Sequence, residues 1–420
     1  MPSDRFAGIA RALGNRNYGF YAAGNSVSLI GTWVQRIAVG WLAWELTGSG
    51  AWLGAVAFAD LFPAVFVGPI GGAVADRVSR LRIIAIAQAL AMLQAVALLW
   101  MTWTEAASIE LLFALVLANG VVMGFNQPSR LALVPSLVPR RDLATAVAIN
   151  AIIFNLARFI GPAVAGLLIV WWGVAAAFAA NALSFVAFFL AISRIRMEGD
   201  GIAPGRGGRR SLLADVGDGI RYTFRHPGIG PMLFLLAVLS LCVRPFVELM
   251  PGFADAVFHR GAEALAILSS TIGVGAVLSG LWLAQRGSGP GLARLTLLSA
   301  GAVALAVLGF AATDVFWLAL VAVAAAGLAM VLSGVGAQTL IQLTVEPEMR
   351  GRVMSLYGIV FRGGPAAGAL IIGALSEFLG LRWPLAGGEV LALAVWAWIW
   401  LRRRRPIYDL EVGADGSSQR

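Results

Sequence analysis

The chain has 420 residues, of which 59% are hydrophobic and 13% are charged, and it carries a formal net charge of +9 at pH 7. A soluble globular protein has about a quarter of its residues charged, so this composition argues against that class and predicts a protein embedded in a membrane. The basic residues are all arginines and lie between apolar runs rather than in one patch, which argues against a nucleic-acid partner.

Apolar runs of membrane-spanning length, which is about 20 residues, occur about twelve times along the chain. The predicted spans cover residues 18–46, 50–75, 82–103, 109–134, 143–171 and 174–193 in the first half, and 231–255, 262–285, 292–312, 315–345, 351–379 and 384–401 in the second. We therefore expect an all-α transmembrane protein of about twelve helices, with both termini on the same side of the membrane.

A polar segment rich in glycine and arginine divides the predicted spans into two sets of six. The predicted domains are an N-terminal bundle over 1–194, a cytoplasmic linker over 195–230, a C-terminal bundle over 231–401 and a cytoplasmic tail over 402–420. Within the linker, the apolar residues of Ser211–Arg225 lie on one side of a helix, which predicts a short amphipathic helix at the membrane surface.

Arginine is distributed unequally between the predicted loops. One set of loops holds most arginines, including Arg77, Arg80 and Arg82, the Arg140–Arg141 pair and the Arg402–Arg405 run, whereas the opposite set holds only Arg260 and Arg382. Because arginine-rich loops stay in the cytoplasm, the first set is predicted to be cytoplasmic together with both termini. Residues 1–18 lack the apolar region and cleavage site of a signal peptide, so we expect a multi-pass protein of the inner (cytoplasmic) membrane.

The two halves share an internal repeat. Gly161–Pro162 precedes the similar Gly364–Pro365 by 203 positions, and Pro139, which is followed by two arginines, precedes Pro347 by 208. Both offsets are about half of the chain length. Two similar six-helix halves are typical of a parallel-repeat transporter.

A charged turn follows the second predicted span. Gly72, Asp76, Arg77 and Arg80 form the spacing G-x-x-x-D-R-x-x-R, which resembles the signature between the second and third helices of the major facilitator superfamily. Residues 31–50, 126–139, 157–166 and 350–356 look like the branch of that superfamily that contains macrolide-efflux and enterobactin-exporter-like proteins. The resemblance implies the major facilitator fold, with two pseudo-symmetric six-helix bundles around a central cavity, alternating access and proton-coupled export of small molecules.

In the family that this chain resembles, the acid of this loop helps to hold the cytoplasmic side closed, and Asp76 is the matching residue. A carboxylate is stabilised at the N-terminal end of a facing helix by unpaired N–H groups and the helix dipole. The resemblance therefore implies a cytoplasmic gate formed by Gly72, Asp76, Arg77, Arg80, Arg350 and Arg352. The alternative is that these charges are solvated and serve only to set the topology.

Charged residues inside a membrane need a partner or a wet cavity, so each one is a candidate for function. The predicted spans contain the arginines Arg36, Arg130, Arg158, Arg244 and Arg362 and, near mid-span, the acids Asp60 and Glu248. Arg36 and Arg244 are 208 positions apart, and Arg158 and Arg362 are 204 apart, so each half presents two arginines at matched depths. These four arginines outnumber the two mid-span acids, and the excess of positive charge favours a substrate with an anionic part.

The sequence leaves the partners of the two acids open. Asp60 has two candidate partners, Arg36 at a similar depth and Arg362 on the eleventh span, whereas Glu248 lies one helical turn after Arg244. Pro245 is expected to kink the helix between them. Each pair is either a structural ion pair or the site of proton coupling.

Four further acids, Glu45, Glu110, Glu377 and Glu389, lie nearer the outer ends of their spans and are expected to reach water. Asn126 and Gln338 are candidates for hydrogen bonding to substrate, although polar residues in such helices also join helix to helix. Trp33 is the tryptophan that lies deep enough to contact the cavity.

Together these features predict a proton-coupled exporter of amphipathic small molecules, drug-like or siderophore-like, with an anionic part. The alternatives are a lipid or lysophospholipid translocator and an importer of organic anions. The sequence has no metal-ligand cluster, no nucleophile paired with histidine and no phosphate-binding loop, so we expect neither an enzyme nor a cofactor. The expected partners are a small-molecule or lipid-like substrate, protons and the bilayer, and we expect a monomer.

Overall fold

The computed structural model of the protein describes residues 2–195, 212–286 and 290–416, and they form helices joined by short loops. Among these residues, eleven helices are long and apolar enough to cross a membrane. The all-α transmembrane fold predicted from the sequence is therefore confirmed. The parts of the predicted linker and tail at 196–211 and 417–420 lie outside the described residues.

The helices of the first half follow the predicted spans closely. They are α1 (Pro2–Gly14), α2 (Arg16–Thr47), α3 (Gly50–Leu61), α4 (Pro63–Ala75), α5 (Arg80–Trp103), α6 (Ile109–Leu137), α7 (Leu143–Trp172) and α8 (Val174–Ser193). The second predicted span is divided into α3 and α4 at Phe62, because Pro63 has no N–H to donate to the preceding turn.

The first predicted span corresponds to α2, which is a continuous helix but is not among the eleven most apolar ones. It begins where the side chain of Asn15 accepts hydrogen bonds from the N–H groups of Asn17 and Tyr18. It ends at Gly48, whose φ of 59° is a left-handed conformation that glycine adopts without strain. Buried polar residues such as Gln35 lower its hydropathy.

The helices of the second half are α9 (Leu212–Arg225), α10 (Ile229–Val238), α11 (Met250–Gly252), α12 (Gly261–Arg286), α13 (Leu292–Ala312), α14 (Phe316–Thr344), α15 (Pro347–Leu379), α16 (Arg382–Arg402) and α17 (Arg404–Gly416). The short helix predicted over Ser211–Arg225 is present as α9. The seventh predicted span, over 231–255, overlaps the apolar segment Ile229–Val247, but it is irregular rather than a single α-helix. It consists of α10, a π-helical turn (Leu239–Val243), a 3-10 turn (Arg244–Val247) that contains Pro245, the short α11 and a second π-helical turn (Phe253–Val257).

The helices cluster into two compact units. The first unit contains α1, α2 and α4–α8, and the second contains Ser49–Phe58 and α9–α17, except that Leu265–Ile267 of α12 cluster with the first. Within the first unit, α8 packs on α2 and α5, and α6 packs on α4 and α5. Within the second unit, α16 packs on α10 and α13, and α14 packs on α13 and α12. Each unit thus repeats the same set of neighbours.

Matched glycines permit close helix crossings in both units. A Cβ atom added at Gly120 of α6 would lie 2.5 Å from the carbonyl oxygen of Ala59, and one added at Gly327 of α14 would lie 2.3 Å from that of Ile272. The two glycines are 207 positions apart in the sequence. Small residues let membrane helices approach closely, and here they do so at equivalent places in the two halves.

A buried chain of amide side chains joins three helices of the first unit. Gln35 of α2 donates to Gln94 of α5 at 2.9 Å and accepts from Asn181 of α8 at 2.8 Å, and Ser184 donates to Asn181 at 2.9 Å. All four side chains are buried. A hydrogen bond that satisfies polar groups in an apolar interior fixes which helices pack together, so this chain sets the arrangement of α2, α5 and α8.

At the junction between α9 and α10, a histidine caps the first residues of α10. The Nδ1 atom of His226 accepts hydrogen bonds from the N–H groups of Gly228 and Ile229 at 3.3 and 3.2 Å. Partial burial lowers the pKa of His226 below its ordinary value of 6.5, although Glu346 opposes this shift. Only the neutral imidazole can accept these bonds, so the cap requires deprotonated His226.

This cap predicts a pH-dependent stability. The unfolded state takes up the proton first because its pKa is higher, so the contribution of His226 is complete above pH 6.5 and is lost as the pH falls below it. We expect the wild-type melting temperature in detergent to fall more steeply below pH 6.5 than that of His226→Asn, whose amide caps without titrating. Identical pH dependence of the two melting temperatures would contradict the proposed cap.

Candidate functional site

Two arginines and an acid that the sequence singled out come together around one tryptophan in the first unit. The Nη1 atom of Arg36 lies 3.5 Å from a carboxylate oxygen of Asp60, and both side chains are somewhat more than a quarter exposed. The guanidinium groups of Arg36 and Arg158 lie 5.5 and 5.8 Å from the ring centroid of Trp33. Phe154 meets the same ring edge-on at 6.2 Å. We call Trp33, Arg36, Asp60 and Arg158 the Trp33 cluster.

Charge and ring geometry explain why this cluster holds together. Two like-charged guanidinium groups near one indole ring repel each other, and the carboxylate of Asp60 offsets part of that repulsion. The indole face also attracts cations, with an energy of about 0.5–2 kcal/mol per contact. The Trp33 cluster therefore combines a net positive charge with an aromatic surface at membrane depth.

In the second unit, the matched arginine also lies on an aromatic ring. The guanidinium of Arg244 lies 3.9 Å from the ring centroid of Phe361, which stacks on Tyr357 at 5.5 Å. The Tyr357 hydroxyl donates to the carbonyl oxygen of Gly334 at 3.4 Å, and a Cβ atom added at Gly334 would come within 3.2 Å of Nη2 of Arg244. The missing side chain at Gly334 thus makes room for the guanidinium. We call Arg244, Gly334, Tyr357 and Phe361 the Phe361 cluster.

The other predicted membrane residues occupy different surroundings. Glu248 is half-buried and directly follows the 3-10 turn that begins at Arg244, while Arg362 lies exposed on α15 beside Phe361. Gln338 is half-buried on α14. Their predicted roles in the substrate or proton pathway stay predictions.

Arg130 and Asn126 of α6 lie inside the first unit. The guanidinium of Arg130 lies 4.5 Å from the ring centroid of Phe188, and its Nε and Nη2 atoms are buried without a hydrogen-bond partner among the described residues. Asn126 is buried, and its Nδ2 atom makes only a weak contact with the Sδ atom of Met123 at 3.6 Å. These two side chains do not take part in the contacts that define the Trp33 cluster.

The residues of the predicted cytoplasmic gate divide into two kinds. Arg80 and Arg352 make contacts within their own units: Arg80 donates to the carbonyl oxygen of Ala132 at 2.9 Å, and Arg352 lies 3.4 Å from the carboxylate of Asp218 on α9. Asp76, Arg77 and Arg350 are exposed, and a Cβ atom added at Gly72 would meet nothing within 4 Å. The gating role of this set stays a prediction.

A helix cap that the sequence reasoning missed lies at the start of α3. The carboxylate of Glu377, near the end of α15, accepts hydrogen bonds from the hydroxyl of Ser49 at 2.6 Å and from the N–H group of Ala51 at 3.1 Å. A Cβ atom added at Gly54 would lie 2.1 Å from the carbonyl oxygen of Ala369, so α3 and α15 are in close contact there. This is the arrangement that the sequence predicted for Asp76: a carboxylate at the end of one helix that caps the start of another.

The four acids expected to reach water do not all do so. Glu45, Glu110 and Glu377 are exposed, and their access to water stays a prediction. The prediction for Glu389 is wrong, because this residue has 0% exposure. Depth along a helix can be read from the sequence, but the direction in which a side chain faces depends on the helices that pack against it. Among the described residues, no group of three histidine, cysteine or acidic side chains is placed to hold a metal ion.

Comparison with known proteins identifies the relatives of the chain. A family model described as transmembrane secretion effector matches residues 15–415. The staphyloferrin A transporter of Staphylococcus aureus is 22% identical over 364 residues, which cover 86% of this chain and 90% of that protein. Macrolide efflux protein A of Streptococcus pyogenes is 23% identical over 377 residues, with coverages of 88% and 92%. The enterobactin exporter EntS of Escherichia coli O1:K1 / APEC is 27% identical over 319 residues, with coverages of 75% and 75%.

Solved structures of transporters share the fold. A bacterial homologue of the iron transporter ferroportin superposes with a TM-score of 0.68 at 17% identity and covers 92% of this chain and 99% of its own. The nucleoside transporter NupG superposes with a TM-score of 0.67 at 14% identity, with coverages of 94% and 98%. At these identities the likeness shows the fold alone.

The Trp33 cluster generates a prediction about energetic coupling. Because Asp60 offsets the charge of Arg36, we expect Arg36→Gln and Asp60→Asn to be non-additive, with a coupling free energy of about 1 kcal/mol in a double-mutant cycle. The measurement is the free energy of unfolding of the wild type, both single variants and the double variant in detergent. Arg382 and Asp314 form a more exposed pair and serve as the control cycle, with a smaller expected coupling. Strict additivity for Arg36 and Asp60 would contradict the pairing.

Proposed function

We infer the function from the family: the chain belongs to the transmembrane secretion effector family of the major facilitator superfamily. We propose that it exports amphipathic small molecules with an anionic part in exchange for protons. The protein is a transporter rather than an enzyme. The three relatives are a siderophore transporter, a macrolide efflux protein and a siderophore exporter by name, which supports efflux of small molecules. The arginine-rich loops support a protein of the inner membrane with cytoplasmic termini.

The observation that carries the proposal is that each unit places an arginine on an aromatic ring at matched positions within the membrane. Arg36 lies on Trp33 in the first unit, and Arg244 lies on Phe361 in the second. A guanidinium offers planar, permanently charged donors to a carboxylate or catecholate group, and an aromatic ring offers a face to the apolar part of the same molecule. This combination supports a substrate that is both anionic and partly apolar.

The sign of the coupling to protons depends on which arginine the substrate engages. If an anionic group took Arg36 from Asp60, the freed carboxylate would gain a proton, and proton and substrate would move in the same direction. Exchange instead requires that the anion bind Trp33 and Arg158 without taking Arg36 from Asp60, so that no proton is taken up together with the substrate. Within the first unit, we assign the contact with the anion to Arg158 rather than Arg36, and the binding of an exchanged proton to Asp60.

The assignment to Asp60 predicts a selective loss. Asp60→Asn cannot release a proton, so we expect it to abolish accumulation of substrate driven by a pH gradient in proteoliposomes while substrate counterflow without a gradient continues. Glu110→Gln, which changes an exposed acid in the first turn of α6, is the matched control and is expected to keep both activities. The probes are a siderophore and a macrolide, the two kinds of substrate named for the relatives.

Two outcomes would contradict this part of the proposal. Equal loss of counterflow and gradient-driven transport in Asp60→Asn would make Asp60 a structural or substrate-binding residue. Movement of a fluorescent lysolipid by the wild type without a pH gradient, with no transport of either probe, would support the lipid translocator instead.

The assignment of an anionic substrate predicts a charge-selective effect in the second unit. Arg244→Gln removes the positive charge of the guanidinium that lies over the Phe361 ring. Because a hydrogen bond to a charged group contributes about 1.5–3 kcal/mol, we expect the Kd of a carboxylate-bearing probe to rise about tenfold or more. The Kd of its methyl ester is expected to change little. Arg260→Gln is the matched control, because Arg260 also lies on aromatic rings but in a loop outside the membrane. Equal weakening of the acid and the ester would contradict anion recognition by Arg244.

A further inference from the structure

A carboxylic acid that the sequence predicts to reach water is buried inside the second unit. Glu389 lies seven residues into α16 and has 0% exposure. Both of its carboxyl oxygens are buried and have no hydrogen-bond partner among the described residues. Native proteins rarely leave a buried polar group unsatisfied, and each such group requires an explanation.

Among the described residues, a buried cysteine lies on a turn that packs against α16 beside Glu389. The α16 helix packs on the π-helical turn at Leu239–Val243, and a Cβ atom added at Gly388 would lie 3.4 Å from the Cβ atom of Cys242 on that turn. Cys242 is the only cysteine of the chain, and it is buried. The thiol is a weak hydrogen-bonding group and carries no positive charge that would compensate a carboxylate.

The other helices packed against α16 also provide no partner. No titratable residue lies on α10, and α13 contributes only Arg294, which is exposed in its first turn. Along the membrane part of α15 the titratable residues are Tyr357, Arg362 and Glu377, and none of them hydrogen bonds to Glu389. The charged residues of α17 and of the first two turns of α15 lie towards the Arg402 end of α16, away from Glu389.

The matched position in the first unit shows what such a site contains when it is purely structural. The offset of 208 that relates Arg36 to Arg244 also relates Asn181 to Glu389 and Gln35 to Val243. In the first unit, Asn181 is satisfied by Gln35. In the second unit, an ionisable group replaces the amide and an apolar residue replaces its partner. The amide pairing that accounts for Asn181 is therefore not available to Glu389.

An unpaired carboxylate in this environment would be strongly disfavoured, whereas a neutral carboxylic acid is tolerated. We propose that Glu389 is a proton-binding site of the second unit, whose carboxyl group holds a proton while it is packed against the π-helical turn at Leu239–Val243 and releases it when that turn moves and water enters. A π-helical turn lacks the regular hydrogen-bond pattern of an α-helix and often marks a functional site. The turn leads directly into the segment that carries Arg244, so movement there connects the proton site to the Phe361 cluster.

The role of this site in coupling rests on the proposed exchange of substrate for protons, whereas the protonation of Glu389 does not. The two parts are therefore tested separately. Infrared spectroscopy of the reconstituted protein at neutral pH, without substrate, is expected to show the C=O stretching band of a buried protonated carboxyl group. The band is expected to be absent in Glu389→Gln and present in Asp60→Asn and Glu110→Gln.

The single thiol gives an independent readout of the same site. The S–H stretching band of Cys242 is expected to shift in Glu389→Gln and to stay unchanged in Glu110→Gln. If Glu389→Gln does not fold, Glu389→Asp replaces it, and the expected result is a displaced C=O band rather than a missing one. A C=O spectrum that is identical in the wild type and in the folded Glu389 variant would overturn the proton-binding site.

Transport measurements then test the coupling. We expect gradient-driven transport by Glu389→Gln to fall about tenfold or more while counterflow persists. Normal gradient-driven transport in this variant, with the infrared band assigned to Glu389, would overturn the coupling role and leave the proton site in place. If the rate of substrate transport by the wild type did not depend on the pH gradient, the proposed function would be contradicted, and the infrared result would stand.

Discussion

The cost of placing charge inside a membrane governs this structure, and each intramembrane charge meets that cost differently. In the first unit, Arg36 pairs with Asp60 beside an indole ring. In the second, Arg244 lies on the face of Phe361, where the quadrupole of the ring replaces part of the lost hydration. Glu389 has neither a cation nor a hydrogen-bond partner among the described residues, so the lowest-energy solution open to it is to stay protonated.

The two units share their helix packing but differ in the polar residues at matched positions. The same helix pairs cross in both, at glycines such as Gly120 and Gly327. The first unit is braced by amide hydrogen bonds between Gln35 and Asn181, whereas the second has apolar or ionisable residues at the matched positions and an irregular seventh span.

Much of the fold could be predicted from the sequence because apolar length and arginine placement are properties of the chain itself. The span predicted over 292–312 matches α13, and the break expected at Pro245 occurs. The Arg36–Asp60 pair was one of two alternatives, since equal depth in a helical hairpin follows from the helical rise. The rotation of each helix does not follow from these properties. For this reason the aromatic partner of Arg244 and the burial of Glu389 became apparent only from the packing.

Exchange of substrate for protons is tested most directly by following the lumen pH of proteoliposomes during downhill substrate efflux. Vesicles that contain the wild-type protein, a pH-sensitive dye and a transported anionic probe would be diluted into probe-free buffer, with the membrane potential clamped by potassium and valinomycin. Exchange predicts that the lumen acidifies as the substrate leaves. Substrate efflux with an unchanged or more alkaline lumen would contradict it.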